Sequence, residues 1–502
     1  MLKSKIQKPN IINYDGHNNY KYFYHYDIET NDAAQSFYEK VFIQELQHAA
    51  IITDSDLNEI DRIDQFCKPL PYKQVSPAAI KINNLSDKLD CSNTHYEMIK
   101  NISSFHKNYA DKGKVLSLGW NSNKFDGPIH ISNLFQNLFP PHQLNTGGND
   151  HCDAMSMAIS SINFVPHYPF PKTKKGNPAY NLNDTASVFG INNLKAHDAL
   201  SDVETLIKVI DNFQKFCPEI YESSLINASK NGTEAILRQG PCLLGEAEFG
   251  KQKITPLAHI ASDNDYSVSF DLRRAPEILN KYTDEQILKR ISFKYSDDSF
   301  LRVIKKNITH ALVSVSIIDN PDELLFSKFK LSSQTFIDRY NFINSDLKLL
   351  GRLMRLGQKA TKDFKNSFDS NILPTSEENI YKLGFISDKD KKLCEDFHKL
   401  PWRKRWDIIK LFDDVRLVDF ARRLCCEHDP QGASKNNFDW WLHFNGERLK
   451  DPNSGISTEQ ALSSSEKILN TSLSKNERYQ VEKTKQFILR HSNDRRVINY
   501  EK

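Results

Sequence analysis

The stretch YFYHYDIET, residues 22–30, constrains this chain most strongly. Aromatic and β-branched residues at that density favour a strand. Successive strand side chains alternate between faces, so Asp27 and Glu29 project together, about 7 Å apart at their Cα atoms. Two carboxylates on one face repel each other unless something positive lies between them. Taken alone, the pair also fits a solvated strand end. Its meaning depends on what the rest of the chain brings beside it.

At 502 residues the chain is too long for one core and implies roughly two to four domains. Hydrophobic residues make up 39% and charged residues 26%, which fits a soluble globular protein and excludes a disordered one. No apolar run reaches the ~20 residues of a membrane-spanning helix, so no membrane partner is expected. The start, MLKSKIQKPNIINYDGHNNY, lacks the apolar segment of a secretory signal. A short flexible lead-in is expected over residues 1–20. Eight cysteines without C-x-x-C spacing fit reduced thiols in a cytoplasmic protein. The net charge is only +3, so a nucleic-acid role needs local basic surfaces rather than a global field.

Residues 22–215 mix the two kinds of element, as an α/β domain does. KYFYHYDI, HAAIITD and KVLSLGW read as strands. GPIHISNLFQNLF, DAMSMAISSINF and ALSDVETLIKVIDNFQKF read as helices. CPEIYESS marks a boundary. Residues 218–346 carry short apolar runs such as DYSVSFDL and HALVSVSII and read as a β-rich module. From about residue 347 the pattern is mainly helical.

Two later segments bring partners to Asp27 and Glu29. LGWNSNKFDGP, residues 118–128, takes a strand into a helix with Asp126 at the junction. KAHDALSDVETL, residues 195–206, offers His197 and Asp202. A helix that begins after Asp198, a good N-cap residue, leaves His197 on the preceding loop and Asp202 in the first turns. Both then face one site. The set supplies four acids and one imidazole.

The order D-x-E, D, H-x4-D, within DIET, NSNKFD and HDALSD, resembles the DEDDh exonucleases. The wider chain resembles bacterial exodeoxyribonuclease I in QHAAIITDSDLNEI, CKPLPYKQVSPAAIKINNLS, GFISDKDKK and FDDVRLVDFARR. The resemblance spans roughly residues 20–450. It implies an α/β RNase H-like exonuclease domain over residues 21–216, an SH3-like β-rich domain over 217–368 and a helical C-terminal domain over 371–497. It also implies a bacterial cytoplasmic monomer that releases mononucleotides from the 3′ end of single-stranded DNA, in repair and recombination. A ribonuclease of the same superfamily and an inactive DNA-binding scaffold are the alternatives.

The chemistry accounts for the residue types. Phosphodiester hydrolysis needs an activated water and a stabilised leaving oxygen, and two divalent ions supply both. Mg²⁺ prefers oxygen ligands, which suits carboxylates. The resemblance makes Asp27 the bridging ligand, with Glu29 and Asp202 completing one ion's site and Asp126 at the second. Two Mg²⁺ ions are expected, with Mn²⁺ as a substitute. His197 is the candidate general base, since an imidazole titrates near neutral pH.

Around this set the resemblance suggests substrate contacts. Thr30 either meets the terminal nucleotide or closes the strand end with a hydrogen bond. Asn121 supports the second motif. Phe125 either stacks near the scissile nucleotide or packs in the core. Asn181 stands where the family often carries a basic residue, which puts one phosphate contact in doubt. Lys172, Lys174 and Lys175 either replace it or line a solvated loop.

Two basic surfaces remain. Lys348, Arg352, Arg355, Lys359 and Lys362 recur at helical spacing, with Leu350, Leu353 and Met354 on the other side. Such a stripe fits a DNA path. Residues 399–423 hold eight Lys/Arg against four Asp and include Trp402 and Trp406, expected as core anchors. The arginines there are expected to be open to phosphates or to an acidic peptide. The family resemblance implies such a peptide in the C-terminal tail of single-strand-binding protein.

Overall fold

The computed structural model describes residues 20–33, 39–166, 168–192, 197–248, 251–367 and 372–493. The expected lead-in lies outside these residues except for Tyr20, as does the junction at 368–371.

The first sheet has five strands: β1 (Tyr22–Thr30), β2 (Glu45–Thr53), β3 (Glu59–Phe66), β4 (Val115–Gly119) and β5 (Asp150–Asp153). Their order is β3-β2-β1-β4-β5. β1 is central, antiparallel to β2 and parallel to β4. Helices cover both of its faces, an apolar one of Tyr24, Tyr26 and Ile28 and one that ends in Asp27 and Glu29. Tyr24, Tyr26 and Ile28 pack with Phe105, Tyr109 and Ile129 from helices His95–Ala110 and Asp126–Gln136. On the other face Ala49 and Ile51 of β2 meet Ala199 and Val203 of helix Ala199–Phe216. The three expected strands and three expected helices form here. Asp198 caps the Ala199–Phe216 helix, its carboxylate accepting from Ser201 N at 3.1 Å.

The second sheet has six strands: β6 (Cys242–Glu248), β7 (Lys251–Ser262), β8 (Tyr266–Asp271), β9 (Ile291–Ser292), β10 (Leu301–Lys305) and β11 (Ala311–Ser314). Their order is β11-β6-β7-β8-β10-β9. The β-rich part is narrower than residues 218–346. Helices Pro218–Ile226 and Lys230–Arg238 precede it, and Pro321–Phe329 and Ser333–Ser345 follow it. Helix Leu347–Asn366 lies against this sheet. Gly357 approaches Val268 so closely that a Cβ would sit 2.8 Å from a valine methyl. The buried side of that helix is Leu349, Leu353 and Leu356, whereas Met354 is exposed. One hydrophobic core runs through both sheets, from Leu116, Leu118 and Phe213 through Ile220 and Tyr221 to Leu243, Val268, Val313 and Leu353.

Helices Asp388–Lys399, Trp402–Ile409, Val415–His428, Lys435–Lys450, Thr458–Leu469 and Lys475–Asn493 complete the chain. They close back on the first domain. Tyr96 and Phe135 share a core with Phe397, Leu417 and Phe420. Here the structure corrects the expectation that the arginines of 399–423 are open to phosphates. Arg405, Arg416 and Arg423 are buried. Arg405 donates to Leu400 O and to the Tyr96 hydroxyl. Arg416 donates to Asp414 and to the carbonyls of Asn379, Ile380 and Gly384. Arg403 stays exposed and pairs with Asp429. Trp402 packs as expected, stacked on His428 at 4.1 Å with the Arg405 guanidinium 3.8 Å from its ring centre. Trp406 is half-buried and donates to Asp429.

Glu377 is the knot of this region. It is fully buried and accepts from Arg423 at 2.6 and 3.2 Å and from Arg448 at 2.8 Å. Burial opposes its charge, but Arg423 and Arg448 together hold the carboxyl well below its ordinary range. The guanidiniums in turn face rings of the first domain, Arg423 over Tyr72 and Arg448 over Phe42. Removing one partner of a buried ion pair strands the other charge and costs about 3–5 kcal/mol. Glu377→Ala is therefore expected to lower the urea midpoint of the C-terminal region. Tryptophan fluorescence reports it, since four of the five tryptophans lie at 402, 406, 440 and 441. An unchanged midpoint would remove Glu377 from this role.

Candidate active site

The site forms where β1 outruns its neighbour. β1 pairs with β4 only from Tyr22 to His25, so the Asp27–Thr30 end is free on that side. β4 gives way there to a tight turn at residues 120–125. Asn121 adopts φ +57°, and its carbonyl accepts from Lys124 N and Phe125 N. The turn delivers Asp126 to the start of the Asp126–Gln136 helix. The Asp126 carboxylate takes the backbone N–H of Ile28, a group left over by the missing β4 pairing.

On the opposite side, helix Ala199–Phe216 lies across β1 and β2 and brings in Asp202. His197 sits on the preceding loop with φ +65°, and its backbone N–H donates to Asp202 Oδ2 at 3.1 Å. Donor atoms of Glu29, His197 and Asp202 lie within 4.8 Å of one another, a group able to hold a metal ion. Glu29, Asp126 and Asp202 are buried, Asp27 is half-buried and His197 is exposed.

The electrostatics follow from this crowding. Burial pushes Asp27 well above the carboxylate range, and Asp126, Glu29 and Asp202 push it further. Burial raises Glu29 likewise, with Asp202 and Asp126 adding. Burial lifts Asp126 to about 7, even though backbone N–H groups favour its charged form. Desolvation and like charges act in the same direction on all three. Four acids held this way form an oxygen-rich site with excess negative charge, which a hard divalent cation fits.

Two further acids contribute that the residue order did not single out for the site. Asp153, at the end of β5, is buried and raised to about 6 by burial. It accepts from Asn123 N at 3.2 Å and from Met155 N at 3.1 Å. It thus ties the 120–125 turn to helix Met155–Phe164. Its signal in the sequence is an acid at a strand end that begins a helix. Asp198, read only as a cap, adds its charge to Asp27 and Glu29. The same turn is anchored to the second sheet's domain, since Asn123 Nδ2 donates to Thr309 O at 3.0 Å and Asp153 N to Thr309 Oγ1 at 3.2 Å.

The other expected residues fall as follows. Thr30 is buried and donates to Asp32 O at 2.8 Å, the bond that closes the strand end. Phe125 is half-buried against the Tyr24–Tyr26 cluster. Asn181 is exposed and caps helix Leu182–Val188, accepting from Asp184 N at 2.7 Å. Lys172, Lys174 and Lys175 are exposed on the loop before it. Arg352 departs from the DNA-path expectation. Its guanidinium is committed to Asp284 Oδ1, Leu279 O and Tyr282 O at 2.7, 3.1 and 2.6 Å. Lys348, Arg355, Lys359 and Lys362 are exposed on the same helix.

Known proteins share this fold. A family model described as Exonuclease matches residues 25–210. Exodeoxyribonuclease I of Buchnera aphidicola from Acyrthosiphon pisum is 23% identical over 359 residues, covering 69% of this chain and 83% of that protein. Exonuclease I of Methylocaldum szegediense superposes with a TM-score of 0.76 at 19% identity, over 94% of this chain and 99% of the other. Escherichia coli exonuclease I in complex with a dA16 oligonucleotide gives 0.76 at 16% identity, over 94% and 100%. A structure of SSB and exonuclease I with the inhibitor CFAM gives 0.73 at 15% identity, over 94% and 100%.

The raised carboxyls set a pH dependence for the metal-free protein. Asp126 is protonated in the folded chain up to about pH 7, whereas unfolded it ionises near pH 4. Its contribution to stability is full at low pH and is lost as pH rises through that window. The thermal midpoint of metal-free wild type is expected to fall relative to Asp126→Asn between about pH 5 and pH 7.5. Saturating Mg²⁺ should close the gap. Parallel midpoint curves would refute the crowding.

Proposed function

We propose, for a chain whose residues 25–210 match the exonuclease family and whose full length resembles exonuclease I, metal-dependent 3′→5′ exonucleolytic hydrolysis of single-stranded DNA. The observation that carries this reading is the convergence of Asp27, Glu29, Asp126 and Asp202 with His197 at the free end of β1. The reading keeps the division into residues 21–216, 217–368 and 371–497, and a monomer at work in the bacterial cytoplasm. The eight unpaired cysteines support that compartment.

Asp27, Glu29, Asp126 and Asp202 would hold two Mg²⁺ ions, with Mn²⁺ able to replace them. When bound, the ions supply an activated water and neutralise charge on the leaving oxygen. The chain's own residues do the rest. Asp27 and Glu29 are fixed by the strand and Asp202 by the helix that crosses it. His197, exposed beside Glu29 and Asp202, takes the proton of the attacking water. Asn121 holds the turn that sets Asp126. Thr30 and Phe125 border the end of the strand, where the terminal nucleotide would lie. The exposed Arg355 and Lys359 supply phosphate contacts further along the DNA. The acidic tail of a single-strand-binding protein is the protein partner of this reading, supported by the solved assembly of SSB with exonuclease I.

A 5′-labelled single strand should yield a descending ladder with Mg²⁺ and none without it. A matched RNA strand should be cut far more slowly. Asp27→Ala or Asp202→Ala should abolish the ladder while circular dichroism stays unchanged; near-normal rates at saturating Mg²⁺ would sink the two-ion reading.

His197→Ala should slow single-turnover hydrolysis by on the order of 10²–10⁴ while DNA affinity survives. A binding defect at an unchanged chemical rate would make His197 a positioning residue instead. Charge reversal of Arg355 and Lys359 should weaken DNA binding and flatten its salt dependence. Affinity and salt slope both unchanged would take the DNA path off this helix.

A further inference from the structure

On the face of the first sheet opposite Asp27 and Glu29 lies a second ligand-like cluster, Glu45, His48 and His130. In the pairing of β1 with β2, His48 stands opposite Ile28, so it shares the face of Tyr24, Tyr26 and Ile28. Its ring stacks on Tyr26 at 5.9 Å. Glu45 starts β2, and His130 comes from helix Asp126–Gln136, one turn after Asp126. All three side chains are fully buried.

The two carboxylate oxygens of Glu45 are divided between the imidazoles. Oε2 lies 2.8 Å from His48 Nδ1 and Oε1 lies 2.9 Å from His130 Nδ1. The ligand atoms of the three residues lie within 4.8 Å of one another. Among the described residues no lysine or arginine pairs with Glu45; its only ion-pair partners are the two histidines. The surroundings also orient the donors. The Tyr24 hydroxyl is 2.9 Å from the far nitrogen of His48, and Glu45 N donates to Asn133 Oδ1 at 3.2 Å. Among the described residues the far nitrogen of His130 has no hydrogen-bond partner, and Glu45 alone fixes that ring by hydrogen bonding.

We propose that Glu45, His48 and His130 form a second metal site, structural and separate from the catalytic carboxylates. Two imidazole nitrogens and a carboxylate able to bind through both oxygens give four donor atoms of mixed N and O type. That set suits a borderline divalent ion of the Zn²⁺ class rather than Mg²⁺, which prefers oxygen and retains water. Binding takes the two Nδ1 positions that now meet the carboxylate, and a neutral ring then keeps its one proton on the far nitrogen. Because the cluster is closed to solvent, the ion would enter as the chain folds, so zinc and cobalt are each supplied during expression or refolding. Its place is mechanical: it would join the start of β2 to the helix that carries Asp126. The outer nitrogen of a ligating histidine is usually held by a hydrogen bond, and for His48 the Tyr24 hydroxyl takes that place at 2.9 Å.

The test uses the full chain carrying Asp202→Ala, which disables the other metal-holding group. Expressed with zinc and dialysed against metal-free buffer, it should retain about one zinc ion per chain by mass spectrometry. Expressed or refolded with Co²⁺, it should show the visible absorption band of a nitrogen-ligated, four-coordinate ion. Adding Glu45→Gln, nearly isosteric, should cut the retained zinc by about tenfold or more. A folded Asp202→Ala chain with no retained zinc and no cobalt band would overturn the site and leave a cluster held by protons alone. Undiminished zinc in a folded Glu45→Gln chain would overturn it too. If that variant does not fold, the cobalt spectrum of Asp202→Ala decides by itself.

Discussion

The molecule is organised around a repulsion. Asp27, Glu29, Asp126 and Asp202 are held in a corner where burial and neighbouring carboxylates raise the proton affinity of Asp27, Glu29 and Asp126. Nothing local favours that arrangement, so the surrounding fold must impose it. β1 is covered on both faces and cannot turn its acids away. The unpaired Ile28 N–H draws Asp126 in, and the His197 N–H anchors Asp202. Fixed backbone dipoles thus hold charges that would otherwise separate. Such a corner is prepared for a cation before the cation arrives, and little reorganisation is left for the moment of binding.

What the sequence disclosed follows the range of the interactions involved. The alternation in YFYHYDIET, the cap at Asp198 and the loop position of His197 are local, and each was legible. The fates of the arginines were not. Periodicity places Arg352 on a basic stripe, but its acid partner Asp284 lies 68 residues away. Arg423 is taken by Glu377, 46 residues away. A stripe shows which residues share a helix face and says nothing of what stands across from it. Asp153 escaped for a similar reason. Its position beside the second motif depends on β4 pairing with β5, and nothing within DHCD encodes that pairing. Asn181 is a mixed case. The sequence showed an absent cation, and the structure shows a helix cap in its place.

The fold also explains why the acidic site needs so much chain beyond its five residues. The turn that presents Asp126 is braced by Asp153 beneath it and by Thr309 from the neighbouring domain. Three strands, two helices and a distant threonine therefore set the position of one carboxylate. Small errors in such positions weaken catalysis out of proportion to their size, because the reacting groups must stay aligned.

The core that passes from Phe213 through Ile220 to Val313 bears on how such a protein can change over time. A nuclease module with a sealed interior could be shuffled among unrelated chains. This one could not be moved so simply. Residues 21–216 contain every acid of the site, yet their hydrophobic interior is finished by side chains from Ile220 to Leu356 and by the C-terminal helices. A transplanted fragment would carry all the acids of the site on an open seam of leucine and phenylalanine. The smallest portable unit therefore takes in both sheets, helix Leu347–Asn366 and the C-terminal helices packed on the first sheet's domain. Lineages that inherit the chemistry have to inherit the second sheet with it.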